Sequence, residues 1–299
     1  MPDTLIILAP PRSFTSVVCA MLGQHPEMYG LPEVNLFVAE TMGERQAVVS
    51  HPRFSQQGLL RVVAQLFGGE QTVQTVAQAE RWIEQRADHS WASVLEELSD
   101  RVAGRILVDK SPRTVTRCEY MWRARRALPR ARFIHLLRHP RGQGESLWKV
   151  AGPLAGAGLN ALDYASDPPS IDYQKTWYML NTNIVTFLDG VPSDQYLRLR
   201  GEDILADPGP HLRKIAEWLG IRTDREAVEA MKHPERSPYA CLGPMNAKFG
   251  NDPYFLQAPA LRPSRGQVQH SLEGPLPWRA DGQGFSPEVK EFARALGYE

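Results

Sequence analysis

Hydrophobic positions along the chain fall into two alternating patterns. Short apolar runs at Thr4–Leu8, Arg105–Asp109, Arg132–Arg138 and Gln195–Arg200 have strand length, with little room for polar alternation. The segments between them carry apolar residues three and four apart, the helical spacing. Such stripes predict helices opening at Arg12–Ser16, over 33–49, 57–67, 72–88 and 90–103, and from Pro112 to 127. Further helices are predicted up to about Val150, over 171–188, 202–206 and 209–219, and behind Ser286-Pro287. Strands separated by helices give an α/β fold: a P-loop-like parallel sheet with helices on both faces. The helices of 33–103 read as an insertion between two strands. Residues 151–170 read as a loop, and 232–284, crowded with proline and glycine, as a C-terminal lid. Phe249, Tyr254, Phe255, Leu256 and Trp278 argue that this lid is ordered. The whole of 1–299 reads as one domain.

Composition narrows the function. At 42% hydrophobic residues the chain can bury a sizeable core. Lys plus Arg and Asp plus Glu are both 34, so no overall field draws nucleic acid or an anionic membrane. Cys19, Cys118 and Cys241 lie far apart, without metal-ligand spacing, which suits a reducing, cytoplasmic compartment. No apolar run approaches membrane-spanning length. Oligomeric state is left open.

The first strand ends at Ala9-Pro10-Pro11, and Arg12-Ser13-Phe14-Thr15-Ser16 opens a helix. A strand, tight loop and helix N-terminus present free amide N–H groups and a positive dipole end, a cradle for phosphate. The competing reading is an ordinary turn whose hydroxyls are caps. The loop lacks Gly-x-x-x-x-Gly-Lys-Ser/Thr, so it has no lysine to bridge nucleotide phosphates, which disfavours a P-loop kinase. Gly142 and Gly144 lack the third glycine of a dinucleotide fingerprint. Ligands of open parallel sheets lie at the carboxyl ends of the strands. That rule gathers Arg12, Lys110, Arg138 and Arg200. At ~6 Å each pair repels by roughly 3 kcal/mol at an effective dielectric of 20, which a polyanion would relieve. Local carboxylate partners are the alternative.

These residues resemble the sulfotransferases that use 3′-phosphoadenosine-5′-phosphosulfate (PAPS). Pro11-Arg-Ser-Phe-Thr-Ser16 matches their 5′-phosphosulfate loop, and Arg138 with Ser146, eight residues on, matches their 3′-phosphate motif. Two positions depart from the pattern: Phe14 replaces a loop glycine, and Gly201 stands where many members carry an aromatic before Glu-Asp. Lys110-Ser-Pro112 also lacks the catalytic histidine of the cytosolic small-molecule enzymes.

The resemblance implies a replacement base. Tyrosylprotein sulfotransferases place a glutamate twenty-one residues after the loop arginine, the interval from Arg12 to Glu33; a helix-start carboxylate is the plainer reading. His270, in Arg265-Gly-Gln-Val-Gln-His270, is a second candidate. That stretch and Gly250-Asn-Asp-Pro-Tyr-Phe-Leu256 resemble sulfotransferase domains of polyketide synthases that form terminal alkenes. The implied chemistry is metal-free transfer of a sulfuryl group from PAPS, leaving PAP, to an acceptor hydroxyl. Glu33 would take the proton, aided by His270, with Lys110 and Arg12 countering developing charge. Ser13, Phe14, Thr15, Ser16, Arg138, Ser146, Arg265 and Gly266 would hold the nucleotide, and Arg200 would line the acceptor site. The expected acceptor is an aliphatic alcohol of specialised metabolism, as a small molecule or bound to a carrier protein, beside Phe249, Phe255 and Leu256. His25, His135 and His139 read as structural. A non-catalytic nucleotide-binding scaffold is the remaining alternative, disfavoured by Lys110 and Glu33.

Overall fold

The computed structural model describes residues 4–50, 53–155, 162–163, 170–261, 270–279 and 281–299. Its strands are β1 (Thr4–Leu8), β2 (Met28–Gly30), β3 (Ile106–Asp109), β4 (Arg132–Leu137), β5 (Leu162–Asp163), β6 (Ser170–Ile171) and β7 (Tyr196–Arg200). Five of them form a parallel sheet in the order β2-β3-β1-β4-β7, while β5 and β6 make a separate antiparallel pair. β1 is central, with Ile6 opposite both Asp109 and Phe133.

The unbroken apolar character of β1 follows from burial on both faces. Ile6 and Leu8 enter one core with Leu59, Val63, Leu95, Met121 and Ile184, from the helices that cover that face. Leu5 and Ile7 enter the other, with Val18, Leu22, Leu212 and Ile215. A third cluster ties the last helix, Pro287–Ala295, to Tyr173 and Trp177 through Val289 and Ala293. Ser286 caps that helix by accepting from the Val289 N–H at 3.4 Å.

Several segments differ from the sequence expectation, among them 151–170, read as a loop, where a helix runs on to Ala155 and β5 pairs with β6. The helix predicted over 33–49 forms only at Met42–Val49, where Thr41 and Glu44 make a capping box. Ahead of it, Asn35 is left-handed (φ 49°) and Leu36–Val38 is a single 3-10 turn, so no helix begins at Glu33. The helix predicted from Pro112 is a 3-10 turn, Pro112–Thr116, and then Cys118–Ala127, separated by extended Arg117. The three-residue edge strand β2 was too short for its pattern to register. The insertion holds the helices Met42–Val49, Gln57–Gly68, Val73–Glu84 and Trp91–Asp100. Among the described residues no helix is long and apolar enough to cross a membrane.

Candidate active site

The loop after β1 is shaped by two left-handed residues, Arg12 (φ 68°) and Phe14 (φ 62°). Only glycine adopts this region without cost, so the turn stores strain of about 1–3 kcal/mol per residue. Phe14 is the N-cap of the helix Thr15–Leu22, with no side-chain cap and no acidic residue in the first turn. The leading amides are thus left for a ligand. Ser13 is fully buried, and its Oγ has no hydrogen-bond partner among the described residues. An orphaned hydroxyl beside a helix N-terminus is what a phosphate oxygen would satisfy. The loop therefore fits a phosphate-like anion, the kind of group the phosphosulfate end of PAPS would present.

Lys110, at the end of β3, reaches the same helix from beneath. Its buried Nζ donates to Ser16 Oγ at 3.1 Å and to Glu33 Oε1 at 2.8 Å. Ser16 Oγ also accepts from the Asp252 N–H at 3.2 Å, leaving its own proton free to donate. The Glu33 side chain is 25% exposed, and its Oε2 accepts no hydrogen bond among the described residues. The carboxylate thus has one oxygen fixed and one open. The Glu33 backbone is clamped: its N–H donates to Gly250 O at 2.8 Å, and a Cβ on Gly58 would lie 2.1 Å from its carbonyl oxygen. Only a glycine at 58 allows this approach. Behind the site, burial pushes the Asp109 carboxyl up to about 6 while Ser111 donates to it through N–H and Oγ.

Arg138, just past β4, closes the third side. Its Nη1 donates to the Arg12 carbonyl at 2.6 Å, and its guanidinium lies 4.3 Å from the Phe14 ring centroid. Burial lowers its pKa to about 10, so it stays charged. Ser146 Oγ accepts from Arg12 Nε at 3.0 Å, joining the expected 3′-phosphate pair to the phosphate loop. Gln143 Nε2 donates to Pro11 O at 2.9 Å and pins the loop's other end.

The family model of the sulfotransferase family matches residues 3–225, well over half of the chain. The chain belongs to the sulfotransferase family. Among solved structures it is similar to the sulfotransferase domain from the curacin biosynthetic pathway, at TM-score 0.80 and 22% identity over 100% of this chain and 99% of that one. It is also similar to the sulfotransferase domain from the Synechococcus PCC 7002 olefin synthase. That match has a TM-score of 0.74 and 24% identity over 99% and 95% of the two chains. A comparison with curated proteins returns no match.

In this sulfotransferase Arg12, Ser13, Phe14, Thr15, Ser16, Glu33, Lys110, Arg138 and Ser146 gather at one edge of the sheet. Arg200 does not join them. Its guanidinium is bound to Asp203 at 2.8 Å and to Gly297 O at 3.0 Å, and the residue is exposed. Arg12, Lys110 and Arg200 each pair with a carboxylate, Asp252, Glu33 and Asp203, so the local-partner alternative holds for three of the four cations, and Arg200 is turned toward the C-terminal segment. His270 stands at the Arg138 side. It stacks on His139 at 5.4 Å, and a Cβ on Gly142 would lie 2.8 Å from its Nε2. Burial lowers its pKa, against the pull of Glu145. Arg265 and Gly266 lie outside the described residues. Phe255 packs on Ala20 and Ala240 and, like Leu256, is buried, so these side chains form wall rather than open lining. Phe249 is half-buried, its N–H donating to Gln57 Oε1 at 2.7 Å.

Asp252 escaped the sequence reading. It forms an ion pair with Arg12 while its carboxylate caps the helix Pro253–Gln257. An Asp-Pro step is the one available cue, and it signals a helix start, not a partner for a residue 240 positions away.

Proposed function

We propose that this sulfotransferase moves a sulfuryl group from PAPS to the hydroxyl of an aliphatic alcohol in a specialised pathway, free or tethered to a carrier protein. The Lys110 ammonium, shared between Ser16 of the phosphate loop and Glu33, carries the reading. It joins the anion cradle to a carboxylate with a free oxygen. Bound PAPS supplies a sulfuryl group whose bond to phosphate oxygen breaks as the acceptor oxygen bonds to sulfur.

The chain's own residues divide the remaining work. Ser13, the leading amides of the helix Thr15–Leu22, and Arg12 hold the phosphosulfate end. Arg138 and Ser146 hold the 3′-phosphate and so fix the nucleotide's register. Glu33 takes the acceptor proton on Oε2, and Lys110 counters the charge left on the departing oxygen. His270 serves the Arg138 side, orienting ligand. The segment 232–284 covers the acceptor and excludes water. Its described part already contacts the phosphate loop through Asp252. The curacin and olefin-synthase settings of the two solved structures support an aliphatic acceptor from specialised metabolism.

The test is incubation with PAPS and a hydroxyl panel, read by mass gain. The panel holds a 3-hydroxyacyl thioester on pantetheine, the same thioester on a carrier protein, simple alkanols and phenols. Fastest sulfation of the aliphatic hydroxyls, without added magnesium, is expected. Fastest turnover of phenols overturns the acceptor class, and phosphate transfer from ATP in place of sulfation overturns the reaction.

A further inference from the structure

The short helix Met42–Val49 turns Met42, Arg45 and Val49 inward, so an arginine occupies the middle of an otherwise apolar stripe. Arg45 is fully buried. No carboxylate among the described residues pairs with it, and one of its nitrogens, Nη1, has no partner there. A guanidinium buried without a counter-ion is costly, and Leu or Met would fill the same place at no such cost.

What Arg45 does hold is the backbone directly after Glu33. Its Nε donates to both Val34 O and Asn35 O at 3.1 Å, and its Nη2 donates again to Val34 O. Asn35 is gripped from other elements as well. The Asn35 N–H donates to Ser111 Oγ at 2.8 Å, and Asn35 Nδ2 donates to Ser55 O at 3.0 Å. Asn35 is kept in the left-handed region, and that turn sends the chain away from Glu33. Two carbonyls pointing one way into the protein interior need a donor set that water cannot supply. The forked guanidinium meets both.

We propose that Arg45 is a positioning residue for Glu33: by fastening the carbonyls of Val34 and Asn35 it fixes the turn that keeps the Glu33 carboxylate on Lys110. The proposal rests on Glu33 as the base, and the experiment separates the two.

Arg45→Gln and Arg45→Lys are made alone and with Glu33→Gln, and assayed with PAPS and a 3-hydroxyacyl pantetheine thioester. Arg45→Gln should lower kcat about 10- to 100-fold with KM and PAP affinity within about twofold, and Arg45→Lys should recover part of the loss. In the Glu33→Gln background the further loss should be under about twofold, because the group being positioned is gone. Losses that add, or that appear in KM alone, overturn the proposal. If Glu33→Gln is as active as the parent, the base assignment fails, and amide exchange decides Arg45 by itself. Exchange decides likewise if the thioester is not turned over. Exchange at Glu33 and Asn35 should rise at least about tenfold in Arg45→Gln, with the helix Thr15–Leu22 unchanged. No local rise overturns the positioning role. Should Arg45→Gln fail to fold, Arg45→Lys carries both comparisons.

Discussion

The ring of Phe14 occupies the space that a side chain on Gly201 would need: a Cβ there would lie 2.4 Å from Phe14 Cδ2. The two positions at which the sequence departs from the resembled pattern are thus in contact, and Phe14 holds a left-handed backbone where glycine would be unstrained. The Phe14 ring repays part of that strain by lying against the Arg138 guanidinium at 4.3 Å.

This coupling predicts non-additive stability. Gly201→Ala should destabilise the protein by about 1–3 kcal/mol, because the methyl meets ring carbons on one side and Leu137 O at 3.3 Å on the other. With Phe14→Gly in place, the ring clash disappears and most of the cost of Gly201→Ala should vanish. Urea denaturation of the four proteins measures it. Equal costs in both backgrounds would mean the ring moves aside freely.

Arg138 and Ser146 should make the nucleotide site selective for a 3′-phosphate. PAP is expected to bind about 10- to 100-fold more tightly than AMP without magnesium, the worth of one charge-assisted contact at ~1.5–3 kcal/mol. Arg138→Met should bring the two ligands' affinities together, PAP losing more than AMP, since Arg138 also supports the phosphate loop through the Arg12 carbonyl. Calorimetry giving equal affinities in the parent protein would remove the 3′-phosphate assignment.

How much of this was legible in the sequence depends on what each position needs from its surroundings. Strands β1, β3, β4 and β7 show as apolar runs because burial on both sheet faces leaves no polar alternation. Arg12, Lys110 and Arg138 follow from strand ends, where the topology places ligands. The same rule misplaced Arg200, since a strand end fixes where a residue sits but not which way its side chain turns. Its turn was set by Asp203 and the chain near Gly297, neither visible as a partner in advance. Arg45 was invisible for the opposite reason: an arginine beside Glu44 and Gln46 reads as a solvent-facing helix. The stop before Met42 depends on left-handed Asn35, which is held by Ser111 and Ser55 from other elements.

A buried histidine should shape the acid limit of stability. His135 is fully buried in β4, its Nε2 donating to Asn181 Oδ1 at 3.0 Å while its Nδ1 accepts from Arg198 Nε at 3.3 Å. That arrangement suits the neutral ring, and burial lowers its pKa to about 3 from 6.5. Between those values the unfolded chain binds the extra proton, so this contribution is present above pH ~6.5 and is lost as pH falls toward ~3. His135→Gln, which can keep one donor and one acceptor, should flatten the pH slope by up to about 1.4 kcal/mol per unit in that window. Urea midpoints at several pH values test this. An unchanged slope would show that His135 titrates alike in both states.

The ion pair between Asp252 and Arg12 places a carboxylate where the phosphosulfate end of the nucleotide is expected to bind. Both side chains are mostly buried, at 15% and 24% exposed, so solvent screens the pair only in part. A ligand anion entering this loop meets the Asp252 charge as well as the Arg12 charge. Asp252→Asn removes the repulsion and keeps the polar contacts: the amide oxygen can still cap the Tyr254 N–H, and the backbone N–H still reaches Ser16. The expected result is PAP binding tighter by about three- to tenfold, the scale of ~1 kcal/mol from one partly screened charge. The gain should shrink as salt is raised. Calorimetric titration with PAP at low and high ionic strength reads both effects. Weaker binding by Asp252→Asn at either salt would mean that the carboxylate holds Arg12 in its binding position instead of competing for it.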